Sequence, residues 1–146
     1  MMSPVFVFLA VACVATLADN VPFKDCGSKL AAINSVDVTP CPQIPCKFER
    51  GKNVTISMKL TPNSAVSKAK TKVYGVIAGV EIPFPLADEN ACHDMTCPLV
   101  SGTAVTYGNY VNVLKAYPPT NVYVKWELQT ETGDMITCFT IPVQIV

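Results

Sequence analysis

The sequence is poor in the residue types that most enzyme and metal sites require. It has one histidine, His93, and no two cysteines separated by two residues, so a zinc site of cysteine and histidine ligands has no basis. It also contains no G-x-S-x-G motif, phosphate-binding glycine loop or dinucleotide fingerprint. Asp88, Glu89 and Asp94 are carboxylates near His93, but isolated residues of this kind more often solvate a loop than form an acid–base pair. We therefore expect no enzymatic activity, no metal and no other cofactor.

Charge is also scarce, and its two signs are balanced. Only 15% of the residues are charged, and 11 lysines and arginines face 11 aspartates and glutamates. Nucleic-acid binding needs a basic patch that neutralises phosphates, and this chain has no strong basic cluster. We therefore exclude nucleic acid as a partner.

Only one long hydrophobic run is compatible with a targeting segment, and it lies at the start of the chain. Residues 4–17 are almost wholly apolar, and no charged residue precedes Asp19. The run is shorter than the roughly 20 residues of a membrane-spanning helix. Thr16 and Ala18 are small residues two apart, as a signal-peptidase site requires. We predict a secretory signal peptide at residues 1–18 and one mature domain at residues 19–146.

Cysteine, by contrast, is plentiful. Cys13 would leave with the signal peptide, and six cysteines remain: Cys26, Cys41, Cys46, Cys92, Cys97 and Cys138. An even number in a secreted chain predicts three disulfides. Spacing leaves several pairings open, although the two pairs that each flank four residues could close small loops.

The pattern of apolar residues predicts an all-β fold. Apolar and polar residues alternate in residues 54–60 and 122–129, which gives each strand one buried and one wet face. Residues 73–82 form an apolar run that we interpret as one strand, bent or bulged at Gly75 or Gly79. Further strand candidates are residues 135–145 and, more weakly, 33–38 and 107–114. With 12 prolines and no helical periodicity, we expect an antiparallel sandwich of two sheets.

Several short motifs occur in a specific order along the chain. They are K-D-C-G-S at 24–28, P-C-P at 40–42, P-C at 45–46, G-V-I-A-G-V at 75–80, I-P-F-P at 82–85, C-P at 97–98, Y-P at 117–118, V-K-W-E-L-Q at 124–129 and I-P-V-Q-I at 141–145. This combination resembles the Niemann-Pick type C2 sterol carriers of the ML lipid-recognition family along essentially the whole mature chain. Tyr74, Phe139 and a short Cys92–Cys97 loop depart from the vertebrate pattern, which indicates an arthropod or other invertebrate member.

The resemblance implies a fold and a ligand site. The fold is an immunoglobulin-like β-sandwich with disulfides Cys26–Cys138, Cys41–Cys46 and Cys92–Cys97 and a lipid pocket between the sheets. The pocket mouth is expected at Phe84, Val113 and Tyr117, accompanied by Pro118. Inward-facing strand residues are expected to line its depth: Val38, Ile56, Val73, Ile82, Val122, Val124 and Trp126.

The implied function is that of a secreted, monomeric carrier of a sterol such as cholesterol, working in extracellular fluid or the lysosomal lumen and handing its ligand to a membrane sterol transporter. Alternatives are a carrier of fatty acids or semiochemicals, an innate-immune module that recognises microbial lipids, and a structural sandwich with a solid core. Lys68, Lys70 and Lys72 could touch anionic membranes, although lysines on the wet face of an edge strand also discourage aggregation. Asn53 begins an N-V-T glycosylation sequon.

Overall fold

The computed structural model describes Val5, Val7 and residues 19–146. Apart from Val5 and Val7, the predicted signal peptide lies outside the described residues. In the part of the chain that the structure describes, no helix is long and apolar enough to cross a membrane.

Ten β-strands make up almost all of the regular structure in the described residues. In chain order they are β1 (Asp19–Asn20), β2 (Lys24–Asp25), β3 (Ala31–Thr39), β4 (Cys46–Phe48), β5 (Asn53–Pro62), β6 (Ala69–Ile77), β7 (Val80–Phe84), β8 (Val105–Asn112), β9 (Asn121–Thr130) and β10 (Met135–Ile145). A single turn of 3₁₀ helix, Ala91–His93, follows β7. The all-β prediction is therefore confirmed.

The strands form two sheets that pack face to face. One sheet has the order β1-β3-β5-β8, and the other has the order β2-β10-β9-β6-β7, with β4 also paired to β10. All pairs within these sheets are antiparallel except β4 with β10, which run parallel. Strands β7 and β8 lie at sheet edges, and this arrangement matters for the site described below.

Alternating burial explains why these sheets stack. In β5, Val54, Ile56, Met58 and Leu60 are buried while the residues between them are more exposed. One apolar face on each sheet must be removed from water, and stacking the two faces does so.

The centre of the core between the sheets is aromatic. The Trp126 ring is stacked parallel to that of Phe139, with ring centroids 6.5 Å apart, and meets the Tyr107 ring edge-on at 6.3 Å. All three side chains are fully buried. Trp126 and Phe139 belong to one sheet and Tyr107 to the other, so these contacts hold the two sheets together.

Residues 73–82 do not form the single bent strand that we predicted. They form a β-hairpin in which Ile77 of β6 pairs with Val80 of β7. The two turn residues, Ala78 and Gly79, both have positive φ angles, 50° and 78°. A two-residue turn with positive φ at both positions matches the right-handed twist of a hairpin. Gly75 therefore lies within a regular strand, and the chain reverses direction at Ala78 and Gly79.

The three disulfides are those that the resemblance implies. Cys26 pairs with Cys138, Cys41 with Cys46, and Cys92 with Cys97. The first ties the start of the domain to β10, and the other two each close a loop of four residues. Cys41, Cys46 and Cys138 are themselves buried, so the disulfides anchor these segments to the hydrophobic core.

Candidate ligand-binding site

A cavity of about 220 Å³ lies between the two sheets. Its walls come mainly from β6, β7 and β9 on one side and from β5 and β8 on the other. Its lining residues are apolar or aromatic apart from Thr120, and among the described residues no charged side chain lines it. A space of this kind can hold an apolar group by removing it from water, but it offers no charged side chain that would bind an ionic group.

The predicted pocket residues converge on this cavity, with one exception. The lining includes Phe84, Val113, Tyr117, Pro118, Ile56, Val73, Ile82, Val122, Val124 and Trp126. Val38 is not part of the lining. It is fully buried on β3, beside Ile56 of β5 and one strand further from the cavity. The prediction therefore placed Val38 in the pocket where the structure places it in solid core.

One glycine shapes the cavity wall. Gly75 lies within β6, between Val124 of β9 and Ile82 of β7, and it lines the cavity. A Cβ atom added there would lie 3.4 Å from Cγ2 of Val122, within ordinary contact distance. The absence of a side chain at this position therefore leaves volume that a larger residue would fill.

Two aromatic rings mark the expected mouth. The ring centroids of Phe84 and Tyr117 are 5.6 Å apart with an interplanar angle of 58°. Phe84 ends β7, and Tyr117 lies in the loop that precedes β9. Partial burial among these groups raises the pKa of the Tyr117 hydroxyl above its ordinary value of 10.0. The phenol is therefore a neutral hydrogen-bonding group at physiological pH.

A buried hydrogen-bond network lies behind Trp126. The Tyr107 hydroxyl accepts a hydrogen bond from Trp126 Nε1 at 3.3 Å and another from Asn109 Nδ2 at 3.2 Å, and it lies 2.8 Å from Thr71 Oγ1. Because it accepts twice, it is placed to donate its own proton to Thr71. Burial raises the pKa of Tyr107, which keeps this proton in place. The network joins β8 to β6 and β9 and fixes the indole that lines the cavity.

Comparison with known proteins identifies the architecture. The sequence profile of the ML domain matches residues 20–145. The chain belongs to the ML-domain family. It is 36% identical over 141 residues to the bovine NPC intracellular cholesterol transporter 2, which covers 96% of this chain and 94% of that protein. It is 42% identical over 127 residues to the ecdysteroid-regulated 16 kDa protein of Manduca sexta, covering 84% of this chain and 87% of that one.

Solved structures show the same fold. The crystal structure of a Niemann-Pick type C2 protein from the Japanese carpenter ant superposes with a TM-score of 0.80 at 30% identity and covers 86% of this chain and 100% of that chain. Chicken MD-1, solved in complex with lipid IVa, has a TM-score of 0.54 at 13% identity, which shows a shared fold only. The immunoglobulin-like sandwich is therefore confirmed, and this family consists of lipid-binding transport proteins rather than enzymes.

Sequence reasoning missed part of the cavity wall of this ML domain. The additional lining residues include Phe48, Ile77, Val111, Val143 and Ile145. The signal for Val143 and Ile145 was present, because they alternate along the predicted strand 135–145. Phe48 had no such signal, since β4 is only three residues long. It is held in place by parallel pairing with β10 and by the neighbouring Cys41–Cys46 disulfide.

Two of the three lysines at positions 68, 70 and 72 form ion pairs with carboxylates. Lys68 lies 3.4 Å from Glu131, and Lys72 lies 2.9 Å from Glu89. Both pairs are exposed and contribute little to stability. They nevertheless neutralise two of the three charges that could attract an anionic membrane, which favours the interpretation of these lysines as a wet strand face.

Proposed function

We propose that this ML domain binds one lipid in the cavity between its sheets and carries it through an aqueous compartment, with a sterol as the ligand. The observation that carries the proposal is the uncharged, apolar lining of the intersheet cavity. The kinship with proteins named as cholesterol transporters supports the choice of a sterol.

The hydrophobic effect supplies enough free energy for this role. Burying one methylene group contributes roughly 0.8 kcal/mol, so a ligand with about 16 buried carbons gains on the order of 10 kcal/mol before the costs of ordering it. Tight binding therefore needs no charged contact. A pocket of this kind discriminates by shape, at about 1–3 kcal/mol per mismatched methylene.

The cavity must widen to bind a lipid, unless part of the lipid extends past the mouth. Its volume of about 220 Å³ is below the roughly 300–1,000 Å³ of typical ligand pockets. Phe84 and Tyr117 are the groups placed to move, because they lie at an open end and not in the stacked aromatic core. A flexible acyl chain requires less widening than a rigid sterol, so a fatty-acid carrier is the second candidate. Recognition of a microbial lipid has only the shared fold with MD-1 in its favour.

The setting of this activity is also part of the proposal. A signal peptide at residues 1–18 would direct the chain into the oxidising secretory pathway, where its three disulfides can form. The destination is then the extracellular fluid or the lysosomal lumen. Asn53 is exposed at the start of β5, where a glycan can be attached without disturbing the core. Handover to a membrane sterol transporter by the monomeric domain remains a prediction.

The test uses the only tryptophan of the chain as a reporter. Trp126 lines the cavity, so a fluorescent sterol bound there should accept energy from it, with saturation at one sterol per chain. Unlabelled cholesterol should displace the probe, and oleate should displace it only at higher concentration. Equal displacement by oleate would favour the fatty-acid carrier. No saturable transfer with a sterol and no competition by any lipid would contradict the proposed function.

A further inference from the structure

A second concave space lies directly outside the pocket mouth. It has a volume of about 580 Å³ and runs between the segment that follows β7 and the edge strand β8. We call it the outer groove. Three residues, Phe84, Val111 and Tyr117, line both this groove and the inner cavity. The two spaces therefore adjoin at these side chains, and movement of the aromatic pair would widen the passage between them.

The outer groove differs from the inner cavity in its chemistry. Part of its wall is apolar, with Leu86 and Leu114, but the rest carries carboxylates, amides and a phenol. These polar residues are Asp88, Asp94, Asn53, Asn109, Asn112 and Tyr110. Among the described residues that line the groove there is no lysine, arginine or histidine. Its fixed charges are therefore exclusively negative.

The two carboxylates differ in how far they are already engaged. Asp88 bonds to Nδ1 of His93 and accepts a hydrogen bond from the backbone N–H of Asn90 at 2.9 Å. The Asp94 carboxylate has no hydrogen bond or ion pair with another described residue. Partial burial and the neighbouring charge of Asp88 raise its pKa above the ordinary value of 3.8. Asp94 is thus a free acceptor that faces the groove.

The amides of β8 add polar groups along the same wall. Asn109 Oδ1 accepts from the backbone N–H of Tyr110 at 2.7 Å, and Asn112 Nδ2 donates to Asn53 Oδ1 at 3.0 Å. Asn112 keeps its carbonyl oxygen and Tyr110 its hydroxyl free of bonds to other described residues, so both can reach a ligand in the groove. These partners suit a hydroxyl or an ammonium group, which donates hydrogen bonds.

The size of the inner cavity indicates what occupies the groove. A lipid too long for about 220 Å³ must extend past the mouth, and its polar end is the part that leaves the apolar space at least cost. We propose that the outer groove holds the polar end of the lipid whose apolar body fills the inner cavity, and that it selects a neutral or cationic hydrogen-bond donor over an anionic head group. The inference rests on the proposed function and names the class of lipid that the site prefers.

The direct test compares lipids that share one alkenyl chain and differ only in the head group. Oleyl alcohol, oleylamine and oleate should be titrated at pH 7.5, with the fluorescence of Trp126 as the readout. The chain should carry Thr55→Ala, which removes the sequon so that no glycan on Asn53 enters the groove. We expect the alcohol and the amine to bind about tenfold more tightly than oleate, because a carboxylate in the groove is repelled through a partly solvated medium, chiefly by Asp94, which has no partner among the described residues.

Charge reversal separates the groove from the rest of the surface. Asp94→Lys should improve oleate binding and weaken oleylamine binding, whereas Asp94→Asn should reduce the difference between the two. The matched control is Asp37→Lys, which makes the same change on β3, outside the groove, and should leave the order unchanged.

The outcomes distinguish this inference from the function on which it rests. If all three lipids bind equally well, or if Asp94→Lys and Asp37→Lys act alike, the groove does not select the head group while the lipid carrier stands. If none of the lipids or sterols binds, the proposed function is contradicted, and the inference that depends on it is contradicted as well.

Discussion

The Tyr107 network allows a sharp test of what joins the two sheets behind the cavity. Tyr107→Phe removes one hydroxyl and leaves the ring, which packs edge-on against Trp126, in place. Trp126 Nε1 then loses its acceptor, and the hydroxyl of Thr71 loses its partner. Both side chains are fully buried, so water cannot replace the missing bonds without opening the core.

The expected magnitude follows from the number of groups left unpaired. A buried polar group without a partner costs about 1–3 kcal/mol, so two such groups should lower the free energy of unfolding by about 2–6 kcal/mol. That is a large part of the roughly 5–15 kcal/mol that stabilises a typical domain. For a domain of this size the melting temperature should fall by about 10 °C. Asn109 adds little, since its partly exposed amide can bond to water.

Urea unfolding followed by Trp126 fluorescence measures the effect. The matched control is Tyr110→Phe on the same strand, where the side chain is 57% exposed and the hydroxyl has no hydrogen bond with other described residues. That variant should unfold within about 0.5 kcal/mol of the parent protein. If Tyr107→Phe is equally harmless, the buried hydroxyl does not stabilise the sandwich and the reasoning is refuted.

The remaining predictions concern the mouth and the histidine. Phe84→Ala and Tyr117→Ala should each weaken fluorescent-sterol binding about tenfold while leaving the fold intact, because each removes an aromatic ring that lines the cavity. Tyr123→Ala, an exposed control, should not weaken binding, and equal affinities of all three variants would argue against this mouth. The hydrogen bond to Asp88 raises the pKa of His93 above its ordinary value of 6.5, and the same bond lowers the pKa of Asp88 below 3.8. The pair therefore stabilises the fold fully between these two values, and the effect fades as pH rises through the raised pKa or falls through the lowered one. An NMR titration should show the His93 pKa returning toward 6.5 in Asp88→Asn, and an unchanged pKa would disprove the coupling.

Period-two patterns predicted the strands that have one wet face. Apolar and polar residues alternate along both β5 and β9, and burial follows this alternation in β5, whereas in β9 Glu127 is buried between Trp126 and Leu128. Strand β10 occupies residues 135–145 as expected. The same patterns did not predict the hairpin turn at residues 77–80. Apolar residues continue on both sides of its turn, and Ala78 is an unusual residue for a position with positive φ.

The limits of the cavity were harder to predict than its strands. The sequence pattern does not distinguish a buried valine that faces solid core, such as Val38, from one that faces an open space, such as Val122. The difference depends on where the two sheets separate, and that is decided by residues distant in the chain. The hydrogen bond between Tyr107 and Thr71, which are 36 residues apart in sequence, is an example of a contact between the sheets that local patterns do not reveal. The family resemblance, and not periodicity, supplied the expectation of a cavity.

The most direct test of the central claim, that a lipid occupies the intersheet cavity, fills the cavity and asks whether binding is lost. Gly75→Val places a branched side chain in the cavity at a strand position that accepts one. Gly108→Val makes the same change on β8, where an added Cβ has no neighbour within 4 Å, outside the cavity lining. Titration of both folded variants with a fluorescent sterol should show one bound sterol per chain for Gly108→Val and the loss of binding for Gly75→Val. Undiminished binding to Gly75→Val would contradict the account.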